Sequence, residues 1–404
     1  MKFFNSLVCK ILLAGILAVL MLIPLGMISQ QVDERKSRAD KTAWDISKDW
    51  GMSQTVSGPR LHFQYEVSEK DSDGKTVVKK ESRKVFPEDL KADASVSTQT
   101  LHRSIYDVTV YQTDMTLSGT LLIPDDLPLK AGSCRLELGV SDLRGIVGDA
   151  RFRLGEEWYR FTDSESSELY KEMDLSGLAG AVPFEMQLCV KGSESLYFRP
   201  VGGMTEVSLS GDCPDPSFTG DFLPAEREVR DDGFSAKWLV SQINRGGPEE
   251  SMFGVKLLHK VSQYQQTTRT LKYGILIILM VFVAGLFVEL VGKRKINIVQ
   301  YLVIGLSLVL FYALLLSFSE LMAFWMAYTL AAVMTTGALL GYFRSILRDN
   351  TAYALVALVA VAYILSYVLV QMETYALLAG TLILFVILGV IMYLTRNLNQ
   401  REQE

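Results

Sequence analysis

The chain has 404 residues, of which 49% are hydrophobic and 21% are charged, and its formal net charge is -5 at pH 7. The long uncharged runs lie in residues 11–28 and 273–394, whereas residues 31–270 have the composition of a soluble domain. This distribution excludes a uniformly soluble chain and predicts one hydrophilic domain inserted between membrane spans. We expect no nucleic-acid partner.

Six segments are long and apolar enough to cross a bilayer, which takes about 20 residues. They are residues 11–28, 273–291, 299–318, 322–343, 352–370 and 375–394. The first segment could instead be a cleaved signal peptide. We favour a retained span, because its apolar run exceeds a signal-peptide core and residues 28–33 (ISQQVD) lack the small residues of a cleavage site.

Lysine and arginine are distributed unevenly among the short connections. They lie before the first segment, between the second and third, between the fourth and fifth, and after the sixth. The alternate connections, residues 319–320 and 371–374, contain neither. Because cytoplasmic loops are enriched in these residues, both termini are predicted to be cytoplasmic. Residues 31–270 would then lie outside, in the periplasm if the host has two membranes.

Residues 31–57 predict a helix that continues out of the membrane. Ala43, Ile46 and Trp50 form a narrow apolar stripe at spacings of three and four residues. A similar continuity is expected at the other end of the domain, since residues 261–272 lead into the second span without a helix breaker.

From Gly58-Pro59 onwards the apolar period changes to two, which is typical of strands. Alternation is visible in residues 61–67 (LHFQYEV), 114–123 (DMTLSGTLLI), 134–140 (CRLELGV) and 184–190 (FEMQLCV). A turn at 71–74 followed by a strand at 76–80 predicts a hairpin. Several short strands at this spacing favour an antiparallel, sandwich-like domain.

Three cysteines, Cys134, Cys189 and Cys213, lie in the outer domain. Cys134 shares a strand face with apolar residues, whereas Cys189 points away from the apolar face of its strand. A 134–189 disulfide is therefore disfavoured, while a 189–213 disulfide remains an alternative.

Residues 214–238 (PDPSFTGDFLPAEREVRDDGFSAKW) combine prolines, dense charge and an alternating segment. Phe234, Ala236 and Trp238 would form the core face of a strand, with residues 231–233 as a turn. The preceding AEREVR carries charge on both faces, which suits an exposed edge strand. A competing interpretation is a partner-binding epitope. The candidate interaction surface consists of Asp221, Glu226, Arg227, Glu228 and Arg230.

No catalytic, metal or cofactor motif is recognisable in the chain. The three histidines, His62, His102 and His259, have no metal-ligand spacing. Asp142 and Asp149 could be proposed as general acid and base, but acids beside a glycine-rich turn are more often turn caps. We therefore favour a loop held by ion pairs with the neighbouring Arg144 and Arg151.

The apolar segments show few signs of a transport site. The two acids near them, Glu289 and Glu320, lie toward segment ends, and the last five segments contain no proline. Gly337 and Gly341, with Ala327 and Ala331 on preceding turns, fit close helix packing. A homodimer through Gly337 and Gly341 is one interpretation.

Several blocks resemble the CreD family of bacterial inner-membrane proteins, and the resemblance covers nearly the whole chain. They are SGP (57–59), RSIYDVTVY (103–111), PSFTGDFLPAEREV (216–229), GFSAKW (233–238), QYQQTTRTLKYGILI (263–277) and QYLVIGLSLVLFYALLLSFSE (300–320). The resemblance implies an inner-membrane protein tied to envelope integrity and linked to a two-component system that responds to envelope or β-lactam stress. It implies no enzymatic activity and no catalytic residues.

The predicted fold is therefore a six-span α-helical membrane bundle with an inserted mainly-β, sandwich-like periplasmic domain. Its parts are a first transmembrane helix (1–30), a periplasmic domain (31–270) and a five-helix bundle with a short cytoplasmic tail (271–404).

The first functional hypothesis is a non-enzymatic envelope protein that contacts the lipid bilayer. It would bind or scaffold a ligand or a protein, and a two-component sensor is one candidate partner. A transporter or lipid-handling protein is the alternative. A membrane enzyme would require Asp142, Asp149 and Asp221 to cluster in one pocket.

Overall fold

The computed structural model describes residues 7–70, 76–104, 106–127, 134–247, 250–257, 263–292, 296–347, 350–372, 378–382, 385, 389 and 392. The chain divides into two compact units. One unit, residues 40–260, is mainly strand and is called the β unit below. The other, residues 1–39 and 261–404, is called the helical unit.

The β unit contains sixteen strands among its described residues. They are β1 (Gln54–Lys70), β2 (Thr76–Val85), β3 (Asp89–Arg103), β4 (Tyr106–Ile123), β5 (Cys134–Val140), β6 (Ile146–Leu154), β7 (Glu157–Arg160), β8 (Asp163–Glu165), β9 (Glu168–Met173), β10 (Gly180–Ser193), β11 (Ser195–Phe198), β12 (Met204–Gly211), β13 (Pro216–Gly220), β14 (Glu226–Arg230), β15 (Gly233–Ser241) and β16 (Phe253–Leu257).

These strands form two eight-stranded sheets. The first sheet has the order β13-β16-β11-β1-β5-β9-β8, and β2 also pairs with β1. The second sheet has the order β14-β15-β12-β3-β4-β10-β6-β7. Most pairs are antiparallel, but β1 pairs with β11 and β3 pairs with β12 in parallel. The prediction of a purely antiparallel domain is wrong at these two places, because each joins strands far apart in the sequence.

Alternating residues of both sheets contribute to one hydrophobic core, as the period of two predicts. The predicted core faces of the strands are buried, among them Phe63, Leu136, Leu117, Met186 and Trp238. In the first sheet Leu61 and Phe63 are fully buried, while Tyr65 further along β1 is only partly buried. Cys189 lies on the opposite face of its strand, and Cys134, Cys189 and Cys213 are all free.

Trp238 lies at the centre of the aromatic part of this core. Its ring is fully buried and contacts Phe218 and Phe253, with ring centroids 5.8 and 5.5 Å away. The indole Nε1 donates a hydrogen bond to the Phe222 carbonyl at 3.2 Å. The predicted core face of β15 is therefore confirmed, and Gly233 in the preceding turn has a φ of 154°.

The helix expected over residues 31–57 ends earlier. Helix α2 (Leu22–Trp50) continues past the apolar segment, and Ala43, Ile46 and Trp50 pack against Val108 and Val110 as the stripe predicts. The helix stops because Gly51 adopts a φ of 149°. Strand β1 then begins at Gln54, before Gly58-Pro59, since residues 54–56 pair with β11.

The hairpin expected after residue 61 is present, with a longer second strand than predicted. β1 and β2 pair in antiparallel fashion from Leu61↔Val85 to Lys70↔Thr76. The predicted turn at 71–74 lies outside the described residues. The hairpin of β14 and β15 is also present, and β14 lies at the edge of the second sheet.

The helical unit contains α1 (Leu7–Leu20), the first part of α2, α3 (Gln263–Lys272), α4 (Gly274–Gly292), α5 (Ile298–Ser319), α6 (Phe324–Leu347) and α7 (Thr351–Gln371). Within the described residues, five helices are long and apolar enough to cross a membrane: Leu12–Trp50, Gln263–Glu289, Ile298–Ser319, Phe324–Leu347 and Thr351–Gln371. The predicted sixth segment, 375–394, lies mostly outside the described residues.

Aromatic side chains dominate the packing of α5, α6 and α7. Phe311 is fully buried, and its ring centroid is 4.3 Å from that of Tyr363 and 5.2 Å from that of Tyr328. Tyr328 in turn contacts Tyr367 at 5.1 Å. Such edge and tilted contacts hold helices together in an environment where burial in protein and in lipid are similarly favourable.

Candidate interaction surface

The edge strand β14 carries four of the five residues of the predicted interaction surface. Glu226, Arg227, Glu228 and Arg230 are all exposed on this strand. Arg230 donates two hydrogen bonds to Glu228 Oε1, at 2.9 and 2.6 Å, and this bonding raises the pKa of the Arg230 guanidinium. The prediction of a charged edge strand is confirmed.

Asp221 adjoins a different sheet from the other four residues. It follows β13 at the edge of the first sheet, where Asp221 Oδ2 accepts a hydrogen bond from the Met252 amide at 2.9 Å. The Asp221 amide donates to the Met252 carbonyl at 2.8 Å. Asp221 therefore joins two loop segments, and its role as an interaction residue stays a prediction.

The outer face of the second sheet contains two neighbouring depressions. The first depression has a volume of about 710 Å³ and reaches from β14 to β4. Its polar lining consists of Asp93, Ser95, Asp114, Ser208, Ser210, Glu226, Arg227, Glu228, Ser235 and Lys237. Three residues of the predicted interaction surface thus line a concave site together with side chains from four other strands.

The second depression continues this face from β4 to β7 and has a volume of about 780 Å³. Its polar and aromatic lining consists of Asp114, Thr116, Asp149, Arg151, Trp158, Tyr159, Arg160, Gln187 and Cys189. Because Asp114 lines both depressions, they adjoin at β4 and form one trough across the sheet.

Strand pairing places the polar residues in one continuous row across all eight strands. The row is Glu226, Lys237, Ser208, Asp93, Thr116, Gln187, Arg151 and Arg160. Residues on either side of these positions, such as Trp238, Leu117 and Phe152, are buried in the core. The alternation of the strands therefore gives one apolar and one polar face.

Ion pairs and hydrogen bonds order the charged groups of this face. Arg151 donates two hydrogen bonds to Gln187 Oε1, at 3.1 and 2.8 Å. Arg160 pairs with Asp149 at 2.9 Å. Lys237 pairs with Glu206 at 2.9 Å, and this contact raises the pKa of the Lys237 ammonium group.

Cys189 in the second depression is not a reactive thiolate. Burial, together with its contact to Asp114, raises the pKa of the Cys189 thiol to about 11. The thiol is therefore neutral near pH 7, which argues against nucleophilic chemistry at this position.

A buried ionic cluster lies on the first sheet, across β1, β5 and β9. Arg60 and Glu137 are only 2% and 1% exposed, and Arg60 Nε donates to Glu137 Oε2 at 2.8 Å. His62 Nδ1 lies 2.7 Å from Glu137 Oε1. Arg60 also pairs with Glu168, and Arg135 with Glu137. These contacts satisfy charges that would otherwise be costly to bury.

Opposing effects act on the pKa of the Glu137 carboxyl. Burial by itself raises it, but the hydrogen bonds from His62 and Arg60 and their charges outweigh this effect and hold the pKa below its ordinary value. Glu137 is therefore ionised near neutral pH. Sequence reasoning missed this cluster because Glu137 occupies the outward position of an alternating strand, where a charge normally meets solvent.

The three acids of the enzyme hypothesis have separate partners. Asp142 caps a short 3₁₀ helix, accepting from the Arg144 amide at 3.2 Å and the Met52 amide at 2.9 Å. Hydrogen bonds from Arg144 lower the pKa of the Asp142 carboxyl. The turn-cap prediction is confirmed for Asp142.

The other two acids of the enzyme hypothesis have different partners. Asp149 pairs with Arg160 instead of Arg151, and Asp221 binds the Met252 amide. Over the described part of the chain, no group of three potential ligands could hold a metal ion.

In the helical unit, Glu320 follows the last residue of α5. Its Oε1 lies 3.5 Å from Arg35 Nε, and the Tyr264 hydroxyl donates to it at 3.5 Å. Gly337 and Gly341 lie on an exposed side of α6 with open space around them. Ala327 and Ala331 are buried, so the four small residues do not form one face as the spacing suggested.

Comparison with known proteins decides the family. The family described as "Inner membrane protein CreD" matches residues 6–401. The chain belongs to the CreD family of inner membrane proteins. It is 30% identical to the inner membrane protein CreD of Escherichia coli (strain K12), over 94% of this chain and 91% of that protein. The family resemblance seen in the sequence is confirmed.

Solved structures add little to this assignment. Two structures of an M1 zinc metallopeptidase from Deinococcus radiodurans, one of them a point mutant, are 10% and 9% identical to this CreD-family chain. The match covers 42% of this chain and 42% of the peptidase, with TM-scores of 0.25 and 0.24. At such TM-scores the similarity says nothing about fold or activity.

Proposed function

We propose that this CreD-family protein supports the integrity of the cell envelope by binding a partner through its β unit, without catalysing a reaction. The observation that carries the proposal is the trough on the second sheet. Its eight strands present a row of exposed or half-buried polar side chains, while the opposite face of the same sheet is fully used by the core. The charged groups of this row are not needed for the stability of the unit, since exposed ion pairs contribute little.

We further propose that the protein has six spans, with both termini in the cytoplasm and the sandwich-like β unit in the periplasm. The lysine and arginine pattern of the short connections supports this orientation. The two sheets share one core, which supports the sandwich-like arrangement. A two-component sensor and a second copy bound through Gly337 and Gly341 stay predictions as partners.

The absence of catalysis is supported by the state of the candidate groups. Asp142, Asp149 and Asp221 are each engaged by a different partner, and Cys189 carries a neutral thiol. A general acid or base must itself be free to exchange a proton with the substrate.

The proposed function is tested in a strain that lacks the gene. The wild-type chain is expected to restore resistance to detergent and to stop leakage of a periplasmic enzyme. A chain with Glu226→Lys, Arg227→Glu and Glu228→Lys should reach the membrane in normal amount but fail to restore the envelope. Glu172→Lys, an exposed site on β9 with the same net change in charge, serves as the control and should restore it.

Two results would contradict the proposal. An intact envelope in the deletion strain would contradict the proposed role in envelope integrity. Full restoration of the envelope by the charge-reversed chain would show that the trough is not needed for this role.

The topology is tested separately with single cysteines in a chain whose four native cysteines are replaced by alanine. Asp73→Cys and Asp232→Cys should react with a membrane-impermeant thiol reagent in cells whose outer membrane has been made permeable. Arg294→Cys should react only after the inner membrane is broken. Reaction of Arg294→Cys in cells with an intact inner membrane would contradict the orientation.

A further inference from the structure

The trough is long and crosses the strands. The two depressions together reach from β14 to β7, the two edges of the second sheet. Seven gaps of about 4.8 Å between neighbouring strands give a length of about 34 Å. A site of this shape suits an extended chain molecule laid across the strands better than a compact small molecule, which is held in a deep and mostly apolar pocket.

The lining offers hydrogen bonds of both kinds. The hydroxyls of Ser208, Ser210 and Ser235 line the first depression, and a hydroxyl can both donate to and accept from a ligand. Asp93 adds a carboxylate with two acceptor oxygens. Gln187 keeps one amide N–H for a ligand, since its Oε1 accepts from Arg151 and its other N–H donates to Glu185 at 2.8 Å. Saccharide hydroxyls both donate and accept hydrogen bonds. A planar side chain with two polar atoms can bond two neighbouring hydroxyls at once.

One aromatic ring lies among these polar groups. Trp158 is 48% exposed, and the guanidinium groups of Arg151 and Arg153 lie 5.4 and 5.9 Å from its ring centroid. These cations hold the indole in position while nearly half of the residue remains open to a ligand. The C–H groups on one side of a sugar ring pack favourably on such an indole.

The charges of the trough balance closely. Five carboxylates (Asp93, Asp114, Asp149, Glu226, Glu228) and four cations (Arg151, Arg160, Arg227, Lys237) line the two depressions. A polyanion or a polycation would meet as much repulsion as attraction. A protein interface normally has an apolar centre with aromatic anchors, and this face offers a single tryptophan near one end.

We propose that the trough binds a neutral oligosaccharide, which lies across the strands and stacks one sugar ring on Trp158. This ligand class rests on the proposed binding role of the β unit and makes it specific. The serine hydroxyls, Gln187 and the acidic side chains hydrogen-bond the sugar hydroxyls along the rest of the trough.

The test uses the purified full chain in lipid nanodiscs, because maltoside or glucoside detergents would compete for a sugar site. Isothermal titration calorimetry is carried out with three neutral probes: hexa-N-acetylchitohexaose, cellohexaose and maltohexaose. A sulfated hexasaccharide is the polyanionic probe. At least one neutral probe should bind saturably, with an affinity that does not depend on ionic strength. Its trisaccharide should bind more weakly than the hexasaccharide.

Two variants connect the binding to the trough. Trp158→Ala should weaken the binding of the neutral probe about tenfold or more, which corresponds to about 1.4 kcal/mol. Trp44→Ala is the matched control, since Trp44 is 51% exposed but lies on α2, and it should bind as wild type does. Gln187→Ala should also weaken binding, and it keeps the test decisive if Trp158→Ala fails to fold.

The ligand class is overturned if none of the three neutral probes binds, if the sulfated probe alone binds, or if Trp44→Ala weakens binding as much as Trp158→Ala. The envelope role is judged separately. A Trp158→Ala chain that no longer binds sugar but still restores the deletion strain would separate sugar binding from that role and leave the ligand class intact.

Discussion

The two units bury polar groups in different ways. In the β unit, Tyr111 is fully buried and its hydroxyl donates to the Ser195 carbonyl at 2.7 Å. In the helical unit, the buried hydroxyls of Tyr312 and Tyr363 have no hydrogen-bond partner among the described residues. Their rings instead lie in the aromatic packing around Phe311. At these positions the β unit uses a buried hydrogen bond and the helical unit uses the packing of aromatic rings.

The largest effect is expected where the sheets of the β unit meet. Trp238→Ala should lower the free energy of unfolding by about 3–5 kcal/mol, because it removes a fully buried ring and leaves the Phe222 carbonyl without its donor. Thermal unfolding followed by far-ultraviolet circular dichroism measures the loss of strand structure. Leu239→Ala, an exposed neighbour on β15, should melt close to wild type. Equal melting of both variants would contradict the assigned core.

The next effect concerns the buried charges. Glu137→Gln should destabilise the β unit by about 3 kcal/mol, because the buried Arg60 would lose its buried carboxylate partner and keep only Glu168, which is 36% exposed. Glu165→Gln removes an exposed partner of Arg135 and should change stability by less than about 1 kcal/mol. Denaturant titration compares the two variants. Similar midpoints would show that the ionic cluster contributes no more than a surface pair.

The same carboxyl predicts a pH dependence in the wild-type chain. Since the folded pKa of Glu137 lies below its ordinary unfolded value, its contribution is complete above the unfolded pKa and is lost as pH falls through the folded pKa. Melting temperatures recorded toward acid pH should therefore fall more steeply for wild type than for Glu137→Gln. Parallel curves for the two chains would assign the acid sensitivity to other groups.

Two tyrosines test the contrast between the units directly. Tyr111→Phe should cost about 1–3 kcal/mol, because the Ser195 carbonyl is left buried without this donor. Tyr363→Phe removes a hydroxyl that has no partner among the described residues, so stability should stay the same or rise. Thermal unfolding of the two variants in nanodiscs gives the comparison. A marked loss in Tyr363→Phe would mean that a bound water or lipid group satisfies this hydroxyl.

The smallest effect is expected on the exposed edge. Reversing the charges of Glu226, Arg227 and Glu228 should change the free energy of unfolding by about 0–1 kcal/mol per residue. The measurement is the same denaturant titration as for Glu137. A loss comparable to that of Glu137→Gln would show that β14 is part of the folded core and not a free edge.

Local periodicity was sufficient to predict the strand faces. The alternation of β10 and β15 identified their buried residues, because one sheet face meets the core in each case. In β5 it identified the apolar face but not the buried Glu137 on the other face. The stripe on α2 likewise predicted which residues pack. The helix end at Trp50 was misplaced, since pairing of β1 with β11 involves residues about 140 positions away.

The site was less accessible to sequence reasoning. Four charged residues on β14 could be grouped because they are neighbours in the chain, whereas Asp221 follows β13 in the other sheet and its place in the surface stays a prediction. The partners of β14 in the trough come from strands as distant as β3 and β4. Their register depends on long-range pairing, which a single sequence does not reveal.

The parallel pairings also constrain the order of events when the chain is made. Strand β3 lies between β4 and β12, yet β12 leaves the ribosome about 100 residues after β3. In the first sheet, β11 is held between β1 and β16, the last strand of the unit. Neither sheet can therefore be completed during early synthesis, and unpaired strand edges persist until nearly the whole unit is present. A nascent β unit is for this reason a natural client for chaperones and a vulnerable target for proteases until β16 is in place.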